Sequence, residues 1–138
     1  MFIKELLPWA ALVTPNLHEA AVLSGIRVDD PESMEKAAKR IVAMGAEAVL
    51  VKGGHLKGEA VDLFYQNGRV KLLSVPRIRT RHTHGTGCTY SAAITAELAQ
   101  GKSLSAAVSI AKRFITEAIR TAPGLGNGTG PVNHHAVV

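Results

Sequence analysis

The chain has 138 residues, 46% apolar and only 4% aromatic, with a formal net charge of +5; this predicts one domain whose core is filled by alanine, valine, leucine and isoleucine. The basic excess is mild and scattered and the aromatics are too few for a stacking platform, which argues against nucleic acid and for an anionic substrate or simple solubility. A lone cysteine excludes an internal disulfide and fits a reducing compartment, no run is apolar enough to span a membrane, and Met1–Trp9 lacks a signal-peptide pattern, so a cytoplasmic protein is expected.

In chain order, Phe2–Leu7 reads as the end of a helix stopped by Pro8, and Ala10–Val13 as a short strand. Asn16 is a good N-cap with Glu19 three residues on, as in a capping box, for a helix that reaches about Ser24 and stops at Gly25. Asp30-Pro31 starts a second helix whose buried face is Met34, Ala37, Ala38, Ile41 and Val42, closed by Gly45. Ala48–Val51 is a buried strand, followed by the loop Lys52-Gly53-Gly54-His55. Val61–Tyr65 and Val70–Val75 flank Asn67-Gly68, a strong hairpin signal. A helix runs from Thr86 to near Gly101, and Ser103 caps another with the apolar stripe Leu104, Ala107, Val108, Ala111, Phe114, Ile115, Ala118 and Ile119. The glycine-rich stretch Pro123–Pro131 must be irregular.

Strands separated by helices argue for an α/β sheet with crossover connections. Only two strands fit its parallel part, and parallel strands want neighbours on both sides. A missing half, or a second copy in a homo-oligomer, is expected to complete the sheet.

The chemistry concentrates at Gly85-Thr86-Gly87-Cys88, where a polar stretch meets a helix of small residues. Glycines let a backbone come close to a ligand, and a helix start aims unpaired N–H groups and the positive end of its dipole at whatever lies above. That suits a phosphate or a developing phosphoryl charge. Cys88 in the first turn is a candidate base, nucleophile or member of an anion pocket; the plain alternative is a small buried apolar residue. Asn16 and Glu19 follow a strand end, where open α/β sheets bind ligands. They read as a helix cap, as a polar pair for a hydrated Mg²⁺ bridging phosphates, or as both. Lys52 follows another strand end, with Gly53 and Gly54 permitting close approach, and can meet a phosphate as a point charge. His82, His84 and Cys88 match no structural zinc spacing, and no Walker A motif is present.

Four stretches together resemble a known family: Thr14-Pro15-Asn16-Leu17-His18-Glu19-Ala20, then Val51-Lys52-Gly53-Gly54-His55, then His82-Thr83-His84-Gly85-Thr86-Gly87-Cys88-Thr89, then Gly126-Asn127-Gly128-Thr129-Gly130-Pro131-Val132-Asn133-His134. In this order and spacing they are similar to the hydroxymethylpyrimidine/phosphomethylpyrimidine kinases of thiamine biosynthesis, in the ribokinase-like superfamily. The resemblance implies a three-layer α/β/α fold and ATP-dependent phosphorylation of a pyrimidine hydroxymethyl group or its monophosphate. It implies an anion hole at Gly85, Thr86 and Gly87 with Cys88 as base, and Asn16 and Glu19 organising Mg²⁺. Lys52, Gly53, Gly54, Lys112, Val132 and Asn133 would lie on the nucleotide side. Members of that family are about twice as long, so residues 1–138 would be the C-terminal, nucleotide-binding half: part of the sheet plus a β-hairpin. Pyridoxal kinase of the same superfamily, or a non-catalytic nucleotide-binding fragment, are the alternatives.

Overall fold

The computed structural model describes residues 2–54 and 58–138, so His55 of the second glycine motif lies outside the described residues. The chain divides into two compact units, Met1–Pro76 and Arg77–Val138.

The first unit opens with a π-helical turn, Phe2–Leu6, and a 3-10 turn, Leu7–Trp9. Pro8 sits inside that second turn instead of stopping a helix ahead of it. Its missing N–H costs nothing there, because the first amides of a helical turn have no partner in any case. Helix α1, Leu17–Ser24, starts at the expected capping box and ends at Gly25. Helix α2, Pro31–Ala43, starts at Asp30, which forms a second capping box with Ser33. Strand β1 is Ala48–Val51, β2 is Ala60–Gln66 and β3 is Arg69–Val75. The β2–β3 hairpin turns at Asn67 and Gly68 with φ of 50° and 75°, the primed geometry that matches the strands' own twist.

Three strands pair antiparallel in the order β1-β2-β3. The expected strand Ala10–Val13 is present only as an irregular fourth line, parallel to β1. Val13 N donates to Ala48 O at 3.0 Å, Leu50 N to Val13 O at 2.8 Å and Lys52 N to Pro15 O at 2.8 Å. Two bridges mark its register, Val13 with Val49 and Asn16 with Lys52. Pro15 supplies no amide to this ladder. Among the described residues no strand pairs with the segment's other edge. The sheet is therefore mixed and the fold α/β, as the sequence predicts.

The core of this unit lies between the helices and one face of the sheet. Met34, Ala37, Ala38 and Ile41 of α2 are fully buried with Val49 and Val51 of β1 and Leu63 of β2. Val42, expected on the same face, is half-buried. Burying each large aliphatic side chain stabilises by roughly 1.5–3 kcal/mol. β1 is buried at all four positions, which its unbroken apolar sequence requires.

In the second unit, helix α3, Thr86–Ala99, and helix α4, Leu104–Arg120, pack against each other. The buried residues of this unit are Tyr90 and Ile94 of α3, Leu104, Ala107, Val108, Ala111, Lys112, Ile115 and Ala118 of α4, and Val132. Ser103 caps α4 by accepting from Ala106 N at 3.3 Å. The stretch after α4 is irregular as expected, except for a parallel bridge between His84 and Pro131. Among the described residues no helix is long and apolar enough to cross a membrane.

Candidate active site

In the first unit, segment 10–16 and β1 run parallel, and open α/β sheets place ligands at the C-terminal ends of such strands. The Asn16–Lys52 bridge makes these two residues neighbours there. Asn16 Oδ1 accepts from Glu19 N at 2.9 Å, and Glu19 Oε2 accepts from Asn16 N at 2.8 Å. The cap is thus complete in both directions and still leaves the second oxygen of Glu19 outside it. Glu19 is exposed and lines a recess of about 400 Å³ together with Val13, Pro15 and His18.

The loop after β1 is held from below. Gly53 is buried, and its N–H donates to Oδ1 of Asp62 at 2.9 Å; Asp62 is itself only 3% exposed. A carboxylate in that position requires donors, and it fixes the start of the loop. The sequence reading passed over Asp62; the available signal was a single acid inside the apolar run Val61–Tyr65. Gly54 is exposed, with no protein atom within 4 Å of where a Cβ would stand. Among the described residues no neighbour would clash with a Cβ there.

In the second unit, Gly85 is the N-cap of α3 with φ 82° and ψ 1°, a left-handed conformation in which a Cβ would be strained. No side chain caps this helix. Thr86 N donates to Thr83 O at 3.2 Å and Thr86 Oγ1 to the same oxygen at 2.6 Å, while Thr89 N closes the first helical bond to Gly85 O at 2.9 Å. That leaves the amides of Gly87 and Cys88 without an acceptor among the described residues. Cys88 is a free, exposed thiol, not a buried apolar filler. An uncapped helix start with two spare N–H groups and a thiol at its rim can bind an anion and can accept a proton.

The remaining predicted residues are occupied by the unit itself. Lys112 is 7% exposed and Val132 is 2% exposed. Asn133 N donates to Ala118 O at 2.9 Å, its Nδ2 donates to Thr121 Oγ1 at 3.0 Å, and its Oδ1 accepts from His135 N at 2.9 Å. Among the described residues no cluster of three or more His, Cys, Asp or Glu side chains could hold a metal ion.

The sequence profile of the family described as phosphomethylpyrimidine kinase matches residues 1–133. The hydroxymethylpyrimidine/phosphomethylpyrimidine kinase of Rhizobium meliloti is 53% identical over 136 residues, which is 96% of this chain and 51% of that protein. The enzyme of the same name from Streptomyces coelicolor is 48% identical over 130 residues, 94% of this chain and 48% of that one. Among solved structures, pyridoxal kinase from Staphylococcus aureus in complex with AMP-PCP and pyridoxal superimposes with a TM-score of 0.94 at 43% identity, over 98% of this chain and 51% of that one. The chain spans about half the length of these relatives. A match over nearly all of its residues, in sequence and in backbone, means that this chain belongs to the phosphomethylpyrimidine kinase family of the ribokinase-like superfamily.

Proposed function

We propose that residues 1–138 form the C-terminal, nucleotide-side half of a kinase that transfers the γ-phosphoryl group of ATP to the hydroxymethyl oxygen of 4-amino-5-hydroxymethyl-2-methylpyrimidine or to its monophosphate. The observation that carries this reading is the bare start of α3: two unused amides, Gly87 and Cys88, under an exposed thiol. The substrate oxygen attacks the γ-phosphorus, the bond from phosphorus to the ADP oxygen breaks, and the thiolate form of Cys88 takes the hydroxyl proton to become the thiol. The amides of the Gly85–Cys88 turn meet the charge on the transferred group. Positioning and electrostatics supply most of the rate in such a transfer.

Lys52 meets the nucleotide phosphates as a point charge, and Gly53 and Gly54, without side chains, let them come close. Lys112, Val132 and Asn133 support the nucleotide side from behind, since all three are buried or engaged within the unit. Asn16 and Glu19 fit a hydrated Mg²⁺: one carboxylate oxygen of Glu19 is free of the cap, and such an ion asks for only one or two carboxylates when phosphates and water fill its shell. When bound, it would neutralise charge on the phosphate oxygens.

The test is Cys88→Ala in the complete enzyme, assayed with ATP and hydroxymethylpyrimidine. The expected kcat falls by roughly 10²–10⁴-fold, the usual worth of a positioned base, while ATP affinity by calorimetry stays nearly the same. An unchanged kcat discards the base role. The pyridoxal complex of the structural relative favours a second reading, pyridoxal as the acceptor, and parallel assays with the two alcohols separate them. Because the chain spans about half of its relatives, ATP binding by this chain without turnover is the result expected if the residues here act only as a nucleotide-binding module.

A further inference from the structure

The proposed anion hole is tied down on both flanks by one short stretch of chain. Immediately before the turn, His84 N donates to Gly130 O at 3.0 Å, and Val132 N donates back to His84 O at 3.3 Å. Immediately after it, Thr89 Oγ1 and His134 Nε2 lie 3.1 Å apart in a hydrogen bond. Residues 130–134 therefore bracket Gly85–Cys88. The stretch is itself pinned at the end of α4, through the Asn133 contacts to Ala118 O and Thr121 Oγ1. Thr121 Oγ1 in turn donates to Glu117 O at 2.8 Å.

The approach is too close to be incidental. A Cβ on Gly130 would overlap Nδ1 of His82 and stand 2.7 Å from the carbonyl oxygen of Leu125. Only glycine fits, and its backbone lies directly against the imidazole two residues before the bridge. Among the described residues His82 Nδ1 is buried without a hydrogen-bond partner, a cost of the kind that persists where surrounding packing dictates the arrangement. His82, His84 and Thr89 thus all meet residues 130–134.

We infer that residues 130–134 are a positioning strap for the phosphoryl-binding turn, with Asn133 as its anchor and His134 as its clasp. Asn133 and His134 then act on the reaction through the turn and not by touching the nucleotide. This rests on the kinase reading for its purpose but not for its test. The turn's own bonds run only to Thr83 O and Gly85 O, and an anion hole works only if its donors are already in place. The strap supplies that fixity from outside the helix.

The experiment is site-resolved amide hydrogen exchange on the full 138-residue chain, with Asn133→Ala, His134→Ala and His134→Gln. Protection at His84 and Thr89 should fall in Asn133→Ala by roughly two- to tenfold, the effect of losing a hydrogen bond on a local opening equilibrium. Val108 and Ile115 inside α4 should keep theirs. His134→Ala should lower protection at Thr89 by a similar factor, and His134→Gln, which keeps a hydrogen-bonding group, should recover part of it. Unchanged protection at Thr89 in both alanine variants overturns the inference. So does an equal loss at Thr89, Val108 and Ile115, which would mean general destabilisation. ATP titration of the same proteins is read separately. If exchange is coupled but the wild-type chain binds no ATP, the strap stands and the nucleotide reading falls.

Discussion

The starts of α1 and α3 solve the same problem in opposite ways. At α1 the orphan amides of the first turn are answered within the sequence itself: Asn16 and Glu19 bond reciprocally at 2.9 Å and 2.8 Å. At α3 the cap is a glycine, no side chain reaches back, and the amides of Gly87 and Cys88 stay open. Helices α2 and α4 follow α1, with Asp30 and Ser103 in the capping role. A glycine cap forgoes only a few tenths of a kcal/mol relative to the side-chain caps of the other three helices, and it leaves the first-turn amides without a side-chain acceptor. Three helix starts are closed by side chains of their own sequence, and only α3 among these four helices leaves its first turn to be met from outside.

The comparison breaks most visibly at Gly85. Gly85→Val forces a β-branched residue into the left-handed region, which costs at least about 1–2 kcal/mol. We expect a lower Tm and at least a tenfold loss of ATP affinity by calorimetry; full affinity in a variant with an altered turn would show that the open amides do not serve phosphate. A smaller effect is expected at the closed terminus. Asn16→Ala should destabilise by about 1 kcal/mol, and Glu19→Ala on top of it should add little, since the two form one reciprocal unit. Denaturant titrations of the single and double variants check this, and full additivity would mean that the box does not act as a unit.

The smallest effect is a pH dependence at Asp30. The backbone N–H of Ser33, then its side chain, and more weakly Lys36, hold the Asp30 carboxyl below its ordinary value of 3.8. A carboxylate whose folded value is depressed contributes stability above the unfolded value and loses it as pH falls through the folded one. Thermal unfolding should therefore show a small loss of stability on acidification below about pH 4 that is missing in Asp30→Asn, an uncharged cap. Equal acid sensitivity in both proteins would assign the loss elsewhere.

What was legible in the sequence is what is decided locally. The caps at Asn16, Asp30 and Ser103 and the hairpin at Asn67-Gly68 each depend on residues within a few positions of one another, and all are found. The glycine turn was legible for the same reason. The segment Ala10–Val13 was harder, because its strand character depends on neighbours: β1 supplies one side and, among the described residues, nothing pairs with the other. Lys112, which the family resemblance places beside a nucleotide, is 7% exposed on the apolar stripe. Its spacing of four from Val108 placed it there, and its charge argued against the position. Asp62 is not legible from its own neighbourhood, because its partner, the N–H of Gly53, lies nine positions away. The bracket around the turn was illegible altogether, since it joins residues separated by two whole helices.

That separation has a consequence for how the protein is made. The glycine-and-thiol corner leaves the ribosome well before the stretch that grips it, with α3 and α4 emerging in between. Until residues 130–134 fold back, His84 N, His84 O and Thr89 Oγ1 lack the partners that hold the corner. Removing residues 130–134 would leave the helical pair with an ungripped corner.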